Sequence, residues 1–174
     1  VFLYGQINRT ERDMVDAKLD NLRTQINPHF LYNTMEMMDF LSLTEGNLEL
    51  SSIIQALSDI FRYALCTDSL ATVGEEVRNV QNYLTIISKR YPGKFTFQND
   101  LPAACYEELL PRLSLQPIVE NALTHGILKN TGTGRIVLSA ELGKHLCLLV
   151  TDDGAGMSPE RRKEVRDGLK NGKY

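Results

Sequence analysis

The chain has 174 residues, of which 43% are hydrophobic and 24% charged, with a formal net charge of −3. That length suffices for one or two compact domains, and the acidic balance leaves no basic footprint for duplex nucleic acid. Cys66, Cys105 and Cys147 are odd in number and far apart, which fits free thiols in a reducing compartment and excludes a metal site built on cysteine spacing. No apolar run approaches the about 20 residues of a membrane-spanning helix, and Val1-Phe2-Leu3-Tyr4 is too short for a signal peptide. The chain begins without Met, and we expect it to be a piece of a longer protein.

Residues from about 5 to 45 read as helix with one interruption. Leu19, Leu22, Ile26 and Phe30 form a heptad-like stripe; upstream only Ile7 and Met14 sit a heptad apart. Pro28 must break the ladder, because it lacks an N–H and its ring clashes with the preceding turn. Either the helix kinks there, or Asn27 caps a new helix with Pro28 at its first position. Gly46-Asn47 ends this element. A second helix follows, with Leu50, Ile53, Ile54, Leu57, Ile60, Phe61, Ala64 and Leu65 in a broad apolar stripe. Thr67 to Gly74 reads as a loop. Glu75 and Glu76 suit the first turn of a third helix, near the positive end of its dipole, and Val77, Val80, Leu84, Ile87 and Tyr91 make a narrow seam for packing on another helix.

The pattern changes at Pro92-Gly93. Lys94 to Gln98 alternates polar and apolar, as a half-buried strand does. Pro111 precedes a helix carrying Leu115, Ile118, Val119 and Ala122, and Asn130 to Gly134 is a turn-rich loop. Ile136, Leu138 and Ala140 alternate, as do Leu146, Leu148 and Val150, with a hairpin turn at Gly143-Lys144. The expected class is therefore α+β, a helical half followed by a half of mixed strands and helices, with the boundary near Pro92.

Three segments carry chemistry. The first is Gln25-Ile26-Asn27-Pro28-His29-Phe30-Leu31-Tyr32-Asn33. A lone histidine on a helix is more often structural than chemical, but an imidazole that is neutral near pH 7 is also a good nucleophile. Asn33, one turn on, can hydrogen-bond the ring or sit as a surface amide. The second segment runs from Pro111 through Leu115-Gln116-Pro117 to Val119-Glu120-Asn121-Ala122 and His125-Gly126. The third, Asp152-Asp153-Gly154-Ala155-Gly156-Met157, follows an apolar strand. An Asp-x-Gly-x-Gly turn alone is common at strand ends; its position after the second segment makes it specific.

The first segment resembles the phosphoacceptor motif of sensor histidine kinases of the YesM/LytS type, and the resemblance extends from about Leu22 to Met157. It implies that His29 is the phosphorylated residue, although Phe30 stands where commoner histidine kinases carry a carboxylate, so the group that activates His29 is not identified. The second segment resembles the asparagine box of the GHKL-type ATP-binding fold. That implies Asn121 as the Mg²⁺ ligand, with Glu120 beside it as a candidate catalytic carboxylate; a hard cation with oxygen ligands suits the role. His125 reads as a helix-end residue at the pocket rim. The third segment implies that Asp152 accepts from the exocyclic amine of adenine and that Gly154 and Gly156 let backbone approach the base. Asp153 stands where that family often has asparagine.

The resemblance implies a fold of a helical dimerisation and phosphoacceptor half followed by a partial GHKL-type α/β sandwich, a mixed sheet with helices on one face. The expected domains are a signalling helix or coiled-coil linker over 1–20, the phosphoacceptor domain over 21–92 and an ATP-binding domain over 93–174. The family's second glycine-rich segment, which holds phosphate in the lid, is matched poorly by Gly168-Leu169-Lys170-Asn171-Gly172. Ser158-Pro159-Glu160 reads instead as a capped helix start. The expected function is ATP-dependent autophosphorylation on His29 followed by transfer to an aspartate of a response regulator, by a homodimer. ATP and Mg²⁺ are the implied cofactors, nucleic acid is no direct partner, and membrane contact comes only through preceding segments of a sensor whose cytoplasmic part this is. The alternative is a non-catalytic dimerisation and signalling module that binds ATP weakly or not at all. A water-using ATPase would need a glutamate one turn before Asn121, where this chain has Pro117.

Overall fold

The computed structural model describes residues 27–129, 132–143 and 145–170. The expected helix upstream of Asn27, with its Ile7/Met14 and Leu19/Leu22/Ile26 stripes, lies outside these. Two compact units divide at Thr67 and Asp68.

The first unit holds a helical hairpin of α1 (Pro28–Thr44) and α2 (Leu48–Ala64). At Pro28 the second of the two expected outcomes holds. Asn27 is extended and its Oδ1 accepts from the Phe30 N–H at 3.2 Å, with Pro28 in the first turn, where its missing N–H removes no bond. The turn uses Gly46 at φ +70, and Asn47 caps α2 by accepting from Leu50 N at 2.9 Å. The helices run antiparallel. Met35 and Ile54 are buried, Asp39 accepts from Ser51 Oγ at 2.5 Å and Gln55 Nε2 at 3.1 Å, and the Arg62 guanidinium lies 5.8 Å from the Tyr32 ring centroid. Two helices cannot enclose all their apolar side chains: Phe30, Met37, Met38, Phe40, Leu41, Leu43, Leu48, Leu50 and Leu57 are exposed, Phe40 by 65%.

The second unit opens with β1 (Leu70–Thr72) and α3 (Val73–Arg90), so the segment expected to be a loop contains a strand. Thr72 and Glu75 form a capping box: Thr72 Oγ1 accepts from Glu75 N, and Glu75 Oε2 accepts from Thr72 N. Next come β2 (Phe95–Asn99), a turn at Ala103–Cys105 and β3 (Leu109–Pro111), which pairs antiparallel with β1. The helix expected after Pro111 is α4, which spans Leu115–Asn121 and continues as a wider π turn over Ala122–Ile127. β4 (Gly134–Leu142), β5 (Leu146–Asp152) and α5 (Pro159–Lys170) complete the unit. The main sheet has the order β2-β4-β5, parallel between β2 and β4 and antiparallel between β4 and β5, which fixes the class as α+β.

The core joins Val77, Val80 and Leu84 of α3 to Val119 of α4, Leu123 and Ile127 of the π turn, and Ile136 and Leu138 of β4. This is why the division falls at Thr67 and Asp68 rather than near Pro92. The seam of α3 meets α4 and the sheet, so that helix is part of the second unit and its stripe is already covered. Apolar surface left for a partner of the helical part belongs to α1 and α2.

Candidate functional site

In the first unit, His29 follows Pro28 in the first turn of α1 and is exposed. The Asn27 cap fixes the helix start, so the His29 side chain leaves a defined backbone. Asn33 is one turn on, as expected from the i, i+4 spacing. Its Nδ2 is 3.3 Å from His29 Nδ1 and 3.4 Å from Nε2. Both distances are long for a hydrogen bond, and their near equality leaves the tautomer of the imidazole unfixed by this neighbour.

In the second unit, Glu120 and Asn121 end α4, and both are exposed. The Asn121 side chain makes no hydrogen bond to another described residue. Tyr83 on α3 is coupled to this helix end. Burial pushes its phenol up from the ordinary value, and the Glu120 carboxylate and then Tyr91 push the same way. Pro117, one turn before Asn121, carries no group that could activate water.

Gly126 connects this helix to the Asp152 turn. A Cβ on Gly126 would collide with Asp152 Oδ1, and a Cβ on Gly154 would collide with the Gly126 backbone. Ala155 N donates to Gly126 O at 3.0 Å. The π turn makes this approach: Leu128 N donates to Leu123 O at 2.8 Å, five residues back, and the widened turn brings Gly126 against the end of β5. The close approach that requires glycine at 154 is thus to another stretch of the chain. Gly156 instead sits at φ +68 with open space around it, a turn position that favours glycine.

Asp152 Oδ1 accepts from Gly154 N at 3.0 Å, and Oδ2 has no hydrogen-bond partner among the described residues. Asp153 does a different job. Its Oδ1 accepts from Arg135 N at 2.6 Å, holding the start of β4. Two adjacent carboxylates therefore divide their roles, Asp153 anchoring a strand and Asp152 bracing the turn at Gly154 with one oxygen. His125 is exposed on the same π turn.

Sequence reasoning missed Glu76. It treats Glu75 and Glu76 alike, but Glu75 closes the capping box while Glu76 is fully buried. Glu76 accepts from Leu113 N at 2.5 Å and from Leu115 N at 2.7 Å. A further tie runs from Asn79 Nδ2 to Gln116 Oε1 at 2.7 Å. The signal was a glutamate in phase with Val73, Val77 and Val80 on the inward face of α3, where a charge needs partners.

Among the described residues no group of three His, Cys, Asp or Glu side chains could hold a metal ion.

Residues 17–95 match the family model for histidine kinase. The chain is 32% identical over 171 residues to the sensor protein kinase HptS of Staphylococcus aureus, in strains USA300, NCTC 8325 and bovine RF122 alike, covering 97% of this chain. It spans about a third of the length of these curated relatives, 32% of each. A structural match is the histidine kinase domain of the Erythrobacter litoralis EL346 blue-light activated histidine kinase, at TM-score 0.41 and 14% identity, covering 87% of this chain and 75% of that one.

Proposed function

The chain belongs to the sensor histidine kinases of the YesM/LytS type, and on that premise we propose that it carries the phosphoacceptor and part of the nucleotide site of an ATP-dependent protein-histidine kinase. The observation that carries this reading is the junction at Gly126. It sets the helix of Asn121 against the turn of Asp152, so that the Asn121 amide oxygen and Asp152 Oδ2 stand on adjoining elements.

In this reading Asp152 Oδ2 accepts from the adenine amine, while Oδ1 is held by Gly154 N. Asn121 would hold Mg²⁺ through its Oδ1, and the cation would supply neutralisation of the phosphate charge. The lone pair of a His29 ring nitrogen attacks the γ-phosphorus. The N–P bond forms, the bond to the β,γ-bridging oxygen breaks and ADP leaves; the phosphoryl group then passes to an aspartate of a response regulator. Exposure of His29 suits both steps, because donor and acceptor must each reach the ring. Asn33 holds the ring loosely and is a positioning residue. Glu120 acts through the field at the end of α4, as its effect on Tyr83 illustrates.

The exposed apolar side chains of α1 and α2 support a homodimer through the helical hairpin, two helices from each chain making a four-helix bundle. We assign the chain to the cytoplasmic side of a membrane sensor; no helix among the described residues is long and apolar enough to cross a membrane. A second reading, a signalling module with little nucleotide affinity, is favoured by one observation. Pro159–Lys170 forms a charged helix where the ATP-binding family has a glycine-rich lid. Labelling with γ-phosphate-labelled ATP separates the two, since only the kinase reading puts label on His29.

A further inference from the structure

We propose that Glu76 is a positioning residue for Asn121, fixing from α3 the start of the helix that carries it; this rests on the nucleotide-site reading above. Four observations converge. Glu76 is 0% exposed, and its two oxygens take separate backbone donors, Leu113 N and Leu115 N. The residue between those donors is Ser114, immediately before α4. Leu113 has φ 61, the only positive value recorded for a non-glycine residue among those described. A leucine in the left-handed region is strained and persists only where its surroundings over-determine it. Here the over-determining group is the Glu76 carboxylate. Asn79, one turn further along α3, adds its bond to Gln116.

The consequence is geometric. α4 is only seven residues long, and its first turn is fixed to α3 by Glu76 and Asn79. Its far end carries Asn121 and passes straight into the π turn. A shift of the first turn moves Asn121 with it. Asp152 is supplied by β5, which is held by its own seven-residue ladder to β4 and meets the α4 side at Gly126. Glu76 should therefore govern the metal and phosphate side of the site and leave the base side alone.

The test is a nuclear magnetic resonance titration of the unmodified chain and of Glu76→Gln with adenosine, with ATP plus Mg²⁺ and with ATP plus a chelator. These are made at a temperature where both proteins are folded. Glutamine offers one acceptor where the carboxylate offers two, and its amide group opposes the second N–H. The expected result is that Glu76→Gln lowers the Mg²⁺-dependent gain in ATP affinity by about tenfold, equivalent to ~1.4 kcal/mol, with adenosine affinity unchanged. An unchanged Mg²⁺-dependent gain, or an equal fall in both, would overturn the proposal. If Glu76→Gln does not fold, amide exchange in the unmodified chain decides: Leu113 and Leu115 should be protected like core amides, and rapid exchange at both would remove the latch. No binding of either ligand by the unmodified chain would reject the nucleotide site itself and this proposal with it.

Discussion

The carboxylate of Asp152 rests against the Cα of Gly126, with no room for a methyl group between them. Gly126→Ala must therefore move the end of β5, or the π turn, or both. Overpacking of this kind costs about 1–3 kcal/mol. Thermal melting should show the lower stability, and nucleotide titration should show weaker preference for ATP over GTP. Unchanged melting and unchanged preference would mean that the corner relaxes freely and does not organise the site.

Asn121→Asp and Asp152→Asn should fail in different ways. The first adds charge beside the cation and should alter the Mg²⁺ dependence of ATP binding. The second removes the acceptor for the adenine amine and should reduce discrimination against GTP, with little change in Mg²⁺ dependence. Titrations with both nucleotides, with and without Mg²⁺, check this. Two variants that behave alike would make the division of the site wrong.

The hairpin of α1 and α2 should dimerise. Phe40 is 65% exposed, in a helix pair with nine exposed large apolar side chains. Sedimentation should find a dimer at roughly tens of micromolar, a concentration at which a standard-sized interface is populated. Phe40→Glu should shift it toward monomer. A monomer throughout would contradict the bundle.

Mg-ATP should bind this chain weakly. The helix Pro159–Lys170 has its start capped by Ser158, whose Oγ accepts from Arg161 N at 3.2 Å. A capped, charged helix offers no row of free backbone donors for phosphate, and single preorganised donors are worth ~3–4 kcal/mol where they act on developing charge. Calorimetry should give a millimolar constant, and a micromolar one would show that the helix rearranges into a working lid.

Much of this was legible in sequence because short-range chemistry dictates it. Asn27-Pro28 is a helix start by capping rules, Ser158-Pro159 another, and the alternation from Ile136 to Val150 is a strand pair. What was illegible depends on contacts distant along the chain. The seam of α3 reads as a helix-to-helix surface, and nothing local says that its partners are α4 and a sheet. That is why the domain boundary was expected near Pro92. β1 and β3 are three residues each and exist through their mutual pairing. The π turn adds one residue to a helical repeat, which no spacing of apolar side chains reveals. At the site, the motif residues were readable by kind, whereas Glu76 and the fit of Gly126 on Asp152 emerge only in three dimensions.

The central claim is that His29 accepts phosphate. The most direct measurement incubates the full-length protein containing this chain with γ-phosphate-labelled ATP and Mg²⁺, alongside His29→Gln. The account predicts label on the protein that is lost in mild acid and survives base, as a phosphoramidate does, no label on His29→Gln, and nearly unchanged ATP binding by that variant. Label retained on His29→Gln would move the role elsewhere, to His125 first. Label released as free phosphate, with none on the protein, would contradict the account outright.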